Sequence, residues 1–298
     1  MDASDYLIVV PGQEITSSQG YLRGHGTYVE QGTEGGHPRL VACVAGVVER
    51  VNKLISVRPI KTRYISEVGD LVVGRVTAVQ SRQWSVEIGA HKCATLMLSS
   101  VILPGGQQRM RTYEDQLQMR SFFQENDLIS AEVQQVGSDG GIALHTRSLK
   151  YGKLDNGQLV SVPPVLIRRL KQHVVSLPDT GVDVILGTNG NIWISRTPPD
   201  EWKGAEEEDE SGTGSVAPKA ETLARQRKQH AETETLGDER VSICRVRNAI
   251  VALRNVFHII TPDSIMSVYR KSVSLGLAPK DMLSGEAVLE LTANDEEL

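Results

Sequence analysis

The sequence predicts a multidomain fold, mainly β with an α+β unit towards the C-terminal side, and three observations lead there. Apolar and polar residues alternate over residues 69–147, as in half-buried strands. Short apolar runs broken by glycine turns fill residues 5–60, and strand-like and helix-like periods mix after Lys153. A chain of 298 residues divides naturally into two or three compact units. We expect a small N-terminal β domain over 1–60, a barrel over 61–150, and an α+β domain with C-terminal helices over 151–298.

In the first unit the apolar runs are Tyr6–Val10, Leu40–Val51 and Leu54–Val57. Between them stand Pro11-Gly12, Gly20, Gly24, Gly26, Gly32 and Gly35-Gly36, which read as turns of a small all-β unit. Gly24-His25-Gly26-Thr27 has too few glycines and no following Lys for a phosphate loop. Arg23, Gly24, His25 and Gly26 are instead expected to form a tight backbone segment suited to an interface.

The barrel opens with GDLVVGRVTAVQSRQWSVEIG, Gly69 to Gly89, where Val72, Val76 and Val86 alternate around Trp84. It closes with NDLISAEVQQVGSDGGIALHTR, Asn126 to Arg147, which repeats the pattern at Leu128, Val133, Val136, Ile142 and Leu144. Small barrels of this kind keep a solvated outer face on which aromatic and basic residues hold single-stranded nucleic acid. Between the halves, Thr112 followed three residues on by Asp115 predicts a capped short helix through YEDQLQMRSFFQE. Tyr113, Leu117, Phe122 and Phe123 are its expected apolar face, and PGGQQRMR before it makes a basic, glycine-bearing loop.

In the third unit, Leu159–Val162 reads as a strand, and Pro163-Pro164 is expected to open a helix through VLIRRLKQHVV. VDVILG and NIWIS are strands flanking Gly187-Thr188-Asn189-Gly190, where Asn-Gly signals a tight hairpin turn. From about 200 to 234 the chain is acidic and polar, including EEEDESGTGS, and is expected to be disordered. Ile243, Val246, Ile250, Leu253 and Phe257 then mark one face of a long helix, with a shorter helix after Thr261-Pro262.

Composition narrows the function classes. Hydrophobic residues are 40%, charged residues 23% and aromatics 4%, ordinary for a globular protein apart from the scarcity of aromatics. No apolar run nears the roughly 20 residues of a membrane span, and MDASDYLIVVPGQ lacks the marks of a signal peptide, so the cytoplasm or nucleus is expected. Cys43, Cys93 and Cys244 show no metal-ligand spacing, and no cofactor or metal is expected. The net charge of −5 conceals an asymmetry: between Arg58 and Lys153 stand twelve Lys or Arg against nine Asp or Glu, a local +3. The acid gathers at Glu206–Glu210 and Asp295–Glu297. Such an adjacent carboxylate run is not the convergent set that a two-metal nuclease needs.

RGHGTY at Arg23–Tyr28, SVRPIKTRYISEVGDLVVGRV at Ser56–Val76, LHTRSLKYGKL at Leu144–Leu154 and VILGTNGNIWI at Val184–Ile194 together closely resemble the ribosomal RNA-processing protein 4 family of eukaryotic exosome cap subunits. The resemblance covers roughly residues 5–260. It implies an N-terminal β domain, an S1-type OB-fold barrel and a KH-type α+β domain carrying a G-x-N-G motif. The function it implies is that of a non-catalytic cap subunit, resting on a ring of six RNase PH-like subunits beside other cap subunits. That complex guides single-stranded RNA through a central pore towards associated 3′ to 5′ exoribonucleases. An S1-containing exoribonuclease and a purely structural subunit are the competing readings.

The candidate RNA contacts are Arg82, Trp84, Lys92, Arg109, Arg111, His145, Arg147, Lys150 and Lys153, chosen because a single-strand groove neutralises successive phosphates and stacks bases. Trp84 either stacks on a base or packs into the barrel. The usual S1 surface is only partly present. Ser81 or Arg82 stands near the usual first aromatic, Met97 at the usual His and Gly137 near the usual carboxylate, which favours backbone tracking over base readout. Gly187, Asn189 and Gly190 lie between two strands with no Lys or Arg in the loop, so we read them as a structural turn or subunit contact rather than an RNA clamp.

Overall fold

The computed structural model describes residues 7–31, 37–59, 62–101, 113–148, 150–198, 229 and 232–293. The chain divides into two compact units, Met1–Thr62 and Arg63–Leu298.

Among its described residues, unit 1 has seven short strands: β1 (Ile8–Val9), β2 (Glu14–Ser17), β3 (Leu22–Arg23), β4 (Thr27–Glu30), β5 (Arg39–Ala42), β6 (Gly46–Val51) and β7 (Leu54–Pro59). They form a sheet in the order β1-β6-β7-β3 and a second in the order β2-β5-β4. The β6–β7 hairpin turns at Asn52, which adopts φ 55°, a left-handed conformation that Asn tolerates better than most residues. Val9, Ala42 and Val57 form a small core, so the unit stands on hydrogen-bonded edges as much as on apolar burial.

Unit 2 begins with a barrel of β8 (Leu71–Val79), β9 (Gln83–Glu87), β10 (Ala94–Val101), β11 (Leu128–Val136) and β12 (Ile142–Thr146). The order β12-β10-β9-β8-β11 closes on itself through a β11–β12 pairing, and β13 (Gly152–Leu154) extends it on β11. Closure leaves no free barrel edge along most of each strand. Of the alternating residues named from sequence, Val72, Val76, Val86, Val133, Ile142 and Leu144 join Leu96 and Ile129 in one core, whereas Leu128 packs in a separate cluster with Leu71 and Val73, and Val136 is exposed.

The connection between β10 and β11 differs from expectation. Two short helices, α1 (Tyr113–Leu117) and α2 (Met119–Phe122), replace the single helix. Met119 and Phe123 supply the buried contacts, whereas Tyr113 and Leu117 are exposed. Thr112, its expected cap, and the loop with Arg109 and Arg111 lie outside the described residues.

The α+β part contains the antiparallel sheet β14-β17-β16-β15, made of β14 (Gly157–Ser161), β15 (Val174–Leu177), β16 (Val182–Leu186) and β17 (Asn191–Arg196). Helices α3 (Gly237–Asn255), α4 (Pro262–Ser274) and α5 (Gly285–Thr292) complete it. Ile243, Val246, Ile250 and Leu253 of α3 share one core with Val184, Leu186, Ile192 and Ile194 of the sheet. Phe257, expected on the same helical face, falls beyond the end of α3 and is exposed.

The helix expected through VLIRRLKQHVV does not form. Only a 3₁₀ turn, Pro164–Leu166, follows the proline pair, and Val174 and Val175 join the sheet edge as β15. Ile260 N–H donates to the Leu166 carbonyl at 2.8 Å, with Ile167 bridged to Ile260, so tertiary pairing replaces the helical ladder. Most of the acidic insert lies outside the described residues, but its end does not show the expected disorder: the Thr233 carbonyl accepts from the Asn156 carboxamide at 3.2 Å.

Candidate nucleic-acid interface

The outer face of β8, β9 and β10 is set by register. Ser85 pairs with Thr95 and Gln83 with Met97, while their neighbours Trp84, Val86, Ala94 and Leu96 point into the core. Thr77 sits at a bulge between Val76 and Ala78, and its hydroxyl donates to the Ser85 carbonyl at 3.1 Å. Arg75, Thr77, Met97 and Ser99 are exposed here. The face is therefore lined by hydroxyls, an amide, a thioether, a guanidinium and, opposite Arg75, the exposed Glu87 carboxylate, with no aromatic ring among these residues.

Trp84 corrects the base-stacking alternative. It is 0% exposed, its indole N–H donates to the Phe123 carbonyl at 3.1 Å, and its ring meets Phe123 edge-on at 5.2 Å. No face of the indole is offered to a base. The signal was in the sequence: Trp84 shares strand parity with Val86, so period two turns both inwards.

The candidate cations separate into distinct environments. Arg82, in the β8–β9 turn, is exposed, and its carbonyl accepts from Leu98 N–H at 3.0 Å on β10. Arg147, also exposed, follows Thr146, which pairs with Val101 on the opposite side of β10. Neither has an ion-pair partner among the described residues. The two guanidinium-bearing residues thus flank the C-terminal half of β10, next to the hydroxyl-lined face.

Lys92 lies at the other end of the barrel, 3.5 Å from the Asp139 carboxylate and bonded to the Asp139 carbonyl at 2.6 Å. The Gly141 N–H and Lys92 hold the Asp139 carboxyl below its ordinary pKa. Lys153 is 3.2 Å from Asp127 and 3.7 Å from Asp155. The charges of both lysines are locally offset, although such exposed pairs contribute little and exchange readily.

His145 serves the barrel itself. Its Nδ1 accepts from Arg147 N–H at 3.5 Å, and its Nε2 lies 4.0 Å from Glu132, a carboxylate that repels phosphate. Glu132 also accepts from the Tyr151 hydroxyl at 2.8 Å. Lys150 lines a cleft between the barrel and the α+β part, whose walls also carry Arg169, Lys171 and His173 and the carboxylates of Asp70, Glu132 and Asp183. The basic stretch Arg168–Lys171 was missed from sequence because it was assigned to a helix face.

The Gly187–Gly190 turn has a specific task. β9 leaves β8 after the Arg75–Glu87 pair, so Leu71 and Val73 turn main-chain groups to a side without a strand. Thr188 N–H donates to the Leu71 carbonyl at 2.9 Å. The Asn189 carboxamide accepts from Val73 N–H at 3.3 Å and donates to the Val73 and Ile88 carbonyls at 2.9 and 2.8 Å. One side-chain amide thus imitates a strand's peptide group, and at 5% exposure it is sealed from solvent. Gly190 has φ 89°, and a Cβ there would run into the Val162 carbonyl. At Gly187 a Cβ would meet the Asn191 carbonyl at 2.5 Å.

Beside this turn, Asp70 is buried and accepts from the Tyr64 hydroxyl at 2.6 Å and from Arg169 at 2.5 Å. Arg169 also pairs with Glu67. Burial, then the Asp70 hydrogen bond, push the Tyr64 phenol upwards in pKa. The turn and this cluster fix the α+β part on the barrel.

The glycine segment of unit 1 is explained within that unit. Gly24 N–H donates to the Ile55 carbonyl and Val57 N–H to the His25 carbonyl, each at 2.8 Å. Gly26 has φ 74°, and a Cβ there would lie 2.5 Å from the Val57 carbonyl. Arg23 and His25 remain exposed on either side of Gly24. Among the described residues no group of three or more His, Cys, Asp or Glu is arranged to hold a metal, and no helix is long and apolar enough to cross a membrane.

Comparison with known proteins agrees with this architecture. Residues 63–135 match the family described as RRP4, S1 domain, and residues 157–200 match the KH domain family. Residues 8–51 match the family described as Exosome complex exonuclease RRP4 N-terminal region. A mouse protein named exosome complex component RRP4 is 47% identical over 284 residues, covering 95% of this chain and 87% of the mouse protein. The Schizosaccharomyces pombe protein of that name is 44% identical over 266 residues, covering 89% of this chain and 76% of its own. The Saccharomyces cerevisiae protein is 41% identical over 289 residues, covering 91% and 77% respectively. With identity of that order along nearly its whole length, in all three segments, the chain belongs to the RRP4 family of exosome complex components.

Proposed function

We propose that this protein is an RNA-binding cap subunit of the RNA exosome that acts without catalysis of its own. The observation that carries the proposal is its 47% identity, over 95% of its length, to a protein named as an exosome component. In this reading the chain rests on RNase PH-like ring subunits beside other cap subunits, and works with associated 3′ to 5′ exoribonucleases in the nucleus, nucleolus and cytoplasm. Unit 1, through Arg23 and His25, and the α+β part supply contacts to neighbouring subunits.

The barrel's outer face borders the path of single-stranded RNA. Arg82 and Arg147 hold phosphates, while Ser85, Thr95 and Ser99 bond sugar or phosphate oxygens. A face without aromatic rings suits passage better than capture, since nothing along it stacks a base and fixes a register. Lys92, Lys150, Lys153 and the loop with Arg109 and Arg111 add to the field.

Affinity purification with mass spectrometry tests the assignment: RNase PH-like proteins should co-purify in a stoichiometric set. Incubating the purified chain with labelled single-stranded RNA and Mg²⁺ should leave the RNA intact. Degradation lost on a carboxylate substitution would instead establish an exoribonuclease.

A further inference from the structure

A second pocket lies away from the barrel's outer face, between β14, α3 and the segment after α4. It has a volume of about 530 Å³ and is lined by Gln158, Leu159, Cys244, Arg247, Asn248, Pro279 and Lys280. Helical spacing presents Cys244, Arg247 and Asn248 at i, i+3 and i+4, on one face of α3. Asn248 is buried at 7% exposure; its carboxamide oxygen accepts from Arg247 Nη1 at 2.9 Å and its nitrogen donates to the Pro279 carbonyl at 2.6 Å. One buried side chain therefore sets both the guanidinium on α3 and the backbone immediately before Lys280.

The charge and hydrogen-bonding character of the pocket is one-sided. No Asp or Glu lines it, and neither Arg247 nor Lys280 has an ion-pair partner among the described residues. In the opposite wall the Gln158 carboxamide oxygen is buried without a hydrogen-bond partner among the described residues, and its nitrogen donates to the Cys244 sulfur at 3.8 Å. Two exposed cations beside an unsatisfied acceptor complement a ligand that brings anionic oxygens and a hydroxyl together.

We propose that this pocket binds the phosphate of a ribonucleotide, with Arg247 and Lys280 on the phosphate oxygens and Gln158 accepting from a ribose hydroxyl. The terminal torsion of Gln158 is soft enough to aim the oxygen. Leu159 and Pro279 form the apolar wall against the sugar. No aromatic residue lines the pocket, so recognition is independent of the base. The inference rests on the proposed function only for the source of the phosphate, which is an RNA strand or a free nucleotide.

Cys244, half-buried in the pocket wall, provides the reporter. In the full chain carrying C43S and C93S, both at exposed positions, alkylation of Cys244 is timed with uridine monophosphate, its dideoxy counterpart or a short oligouridylate. Uridine monophosphate should slow the reaction several-fold, more than the dideoxy probe does. R247Q/K280Q should abolish protection, and Q158L should erase the preference for the ribose. Protection by the oligonucleotide as well assigns the phosphate to a strand, and protection by the monomer alone assigns it to a free nucleotide. No protection by any probe, or equal protection in R247Q/K280Q, overturns the pocket. The RNA face is tested separately through Arg82 and Arg147, whose substitution should leave Cys244 protection by the monomer unchanged.

Discussion

At Trp84 one side chain exchanges a role in binding for a role in folding. Its indole fills the barrel core and satisfies the Phe123 carbonyl, which fixes the connection after α2 to the strands. Trp84→Phe should cost about 1–3 kcal/mol for the orphaned carbonyl, and Trp84→Ala about 3–5 kcal/mol with its cavity. Denaturant unfolding measures both, and RNA affinity under fully folding conditions should change little. A loss of affinity without a loss of stability would restore the stacking role. His173 makes a second single-residue prediction. Its Nε2 accepts from Leu170 N–H at 3.3 Å and its Nδ1 lies 2.8 Å from the Leu186 carbonyl, which fits the neutral ring with the proton on Nδ1. Burial lowers its pKa, against opposing contributions from the Leu186 carbonyl and Asp70. With the folded value below the unfolded value of about 6.5, the unfolded chain binds the extra proton first. This contribution to stability is complete above that pH and declines as pH falls through the interval down to the folded pKa. Melting temperatures across that range should show a decline that His173→Gln flattens.

The β16–β17 hairpin is an element with two functions: it belongs to the sheet of the α+β part and supplies the partner for β8. Asn189→Ala leaves the Val73 N–H and the Val73 and Ile88 carbonyls short of a partner, although Asn191 still donates to Val73 at 2.9 Å. With buried groups costing about 1–3 kcal/mol each when unsatisfied, the melting temperature should drop by several degrees. Calorimetry should also show the barrel and the α+β part losing cooperativity. The hairpin was legible because Asn-Gly between two apolar runs signals a tight turn, here closed by Gly187 N–H on the Asn191 carbonyl at 3.0 Å with Gly190 at positive φ. Its contact with β8 was not, since the sequence does not say where β9 diverges. Barrel strands and α3 were legible from period, whereas VLIRRLKQHVV misled because its apolar spacing also suits a helix. The competing sheet edge at Ile185 and Val184 and the bridge to Ile260 are remote in sequence. The same misreading hid Arg168, Arg169 and Lys171, whereas for Trp84 residue type leaves stacking and packing both open and strand parity with Val86 decides for packing.

For the whole molecule, the excess of acid and the polar barrel face imply weak binding to RNA by the isolated chain, governed by salt. Each phosphate neutralised on a single strand contributes about 0.7 to the slope of log K against log salt. R82E/R147E should therefore lower affinity and reduce that slope by more than one, with assembly unaffected, as read by titration at several ionic strengths. A tight complex indifferent to salt would contradict the backbone-tracking mechanism. The Asn189 turn also has a consequence for solution behaviour. A stretch of β8 facing solvent with open peptide groups is a template on which another chain can add a strand. By covering Leu71 to Val73 the turn acts as a guard against self-association. A barrel produced without residues beyond Leu154 should form oligomers through that strand, however well its own core folds.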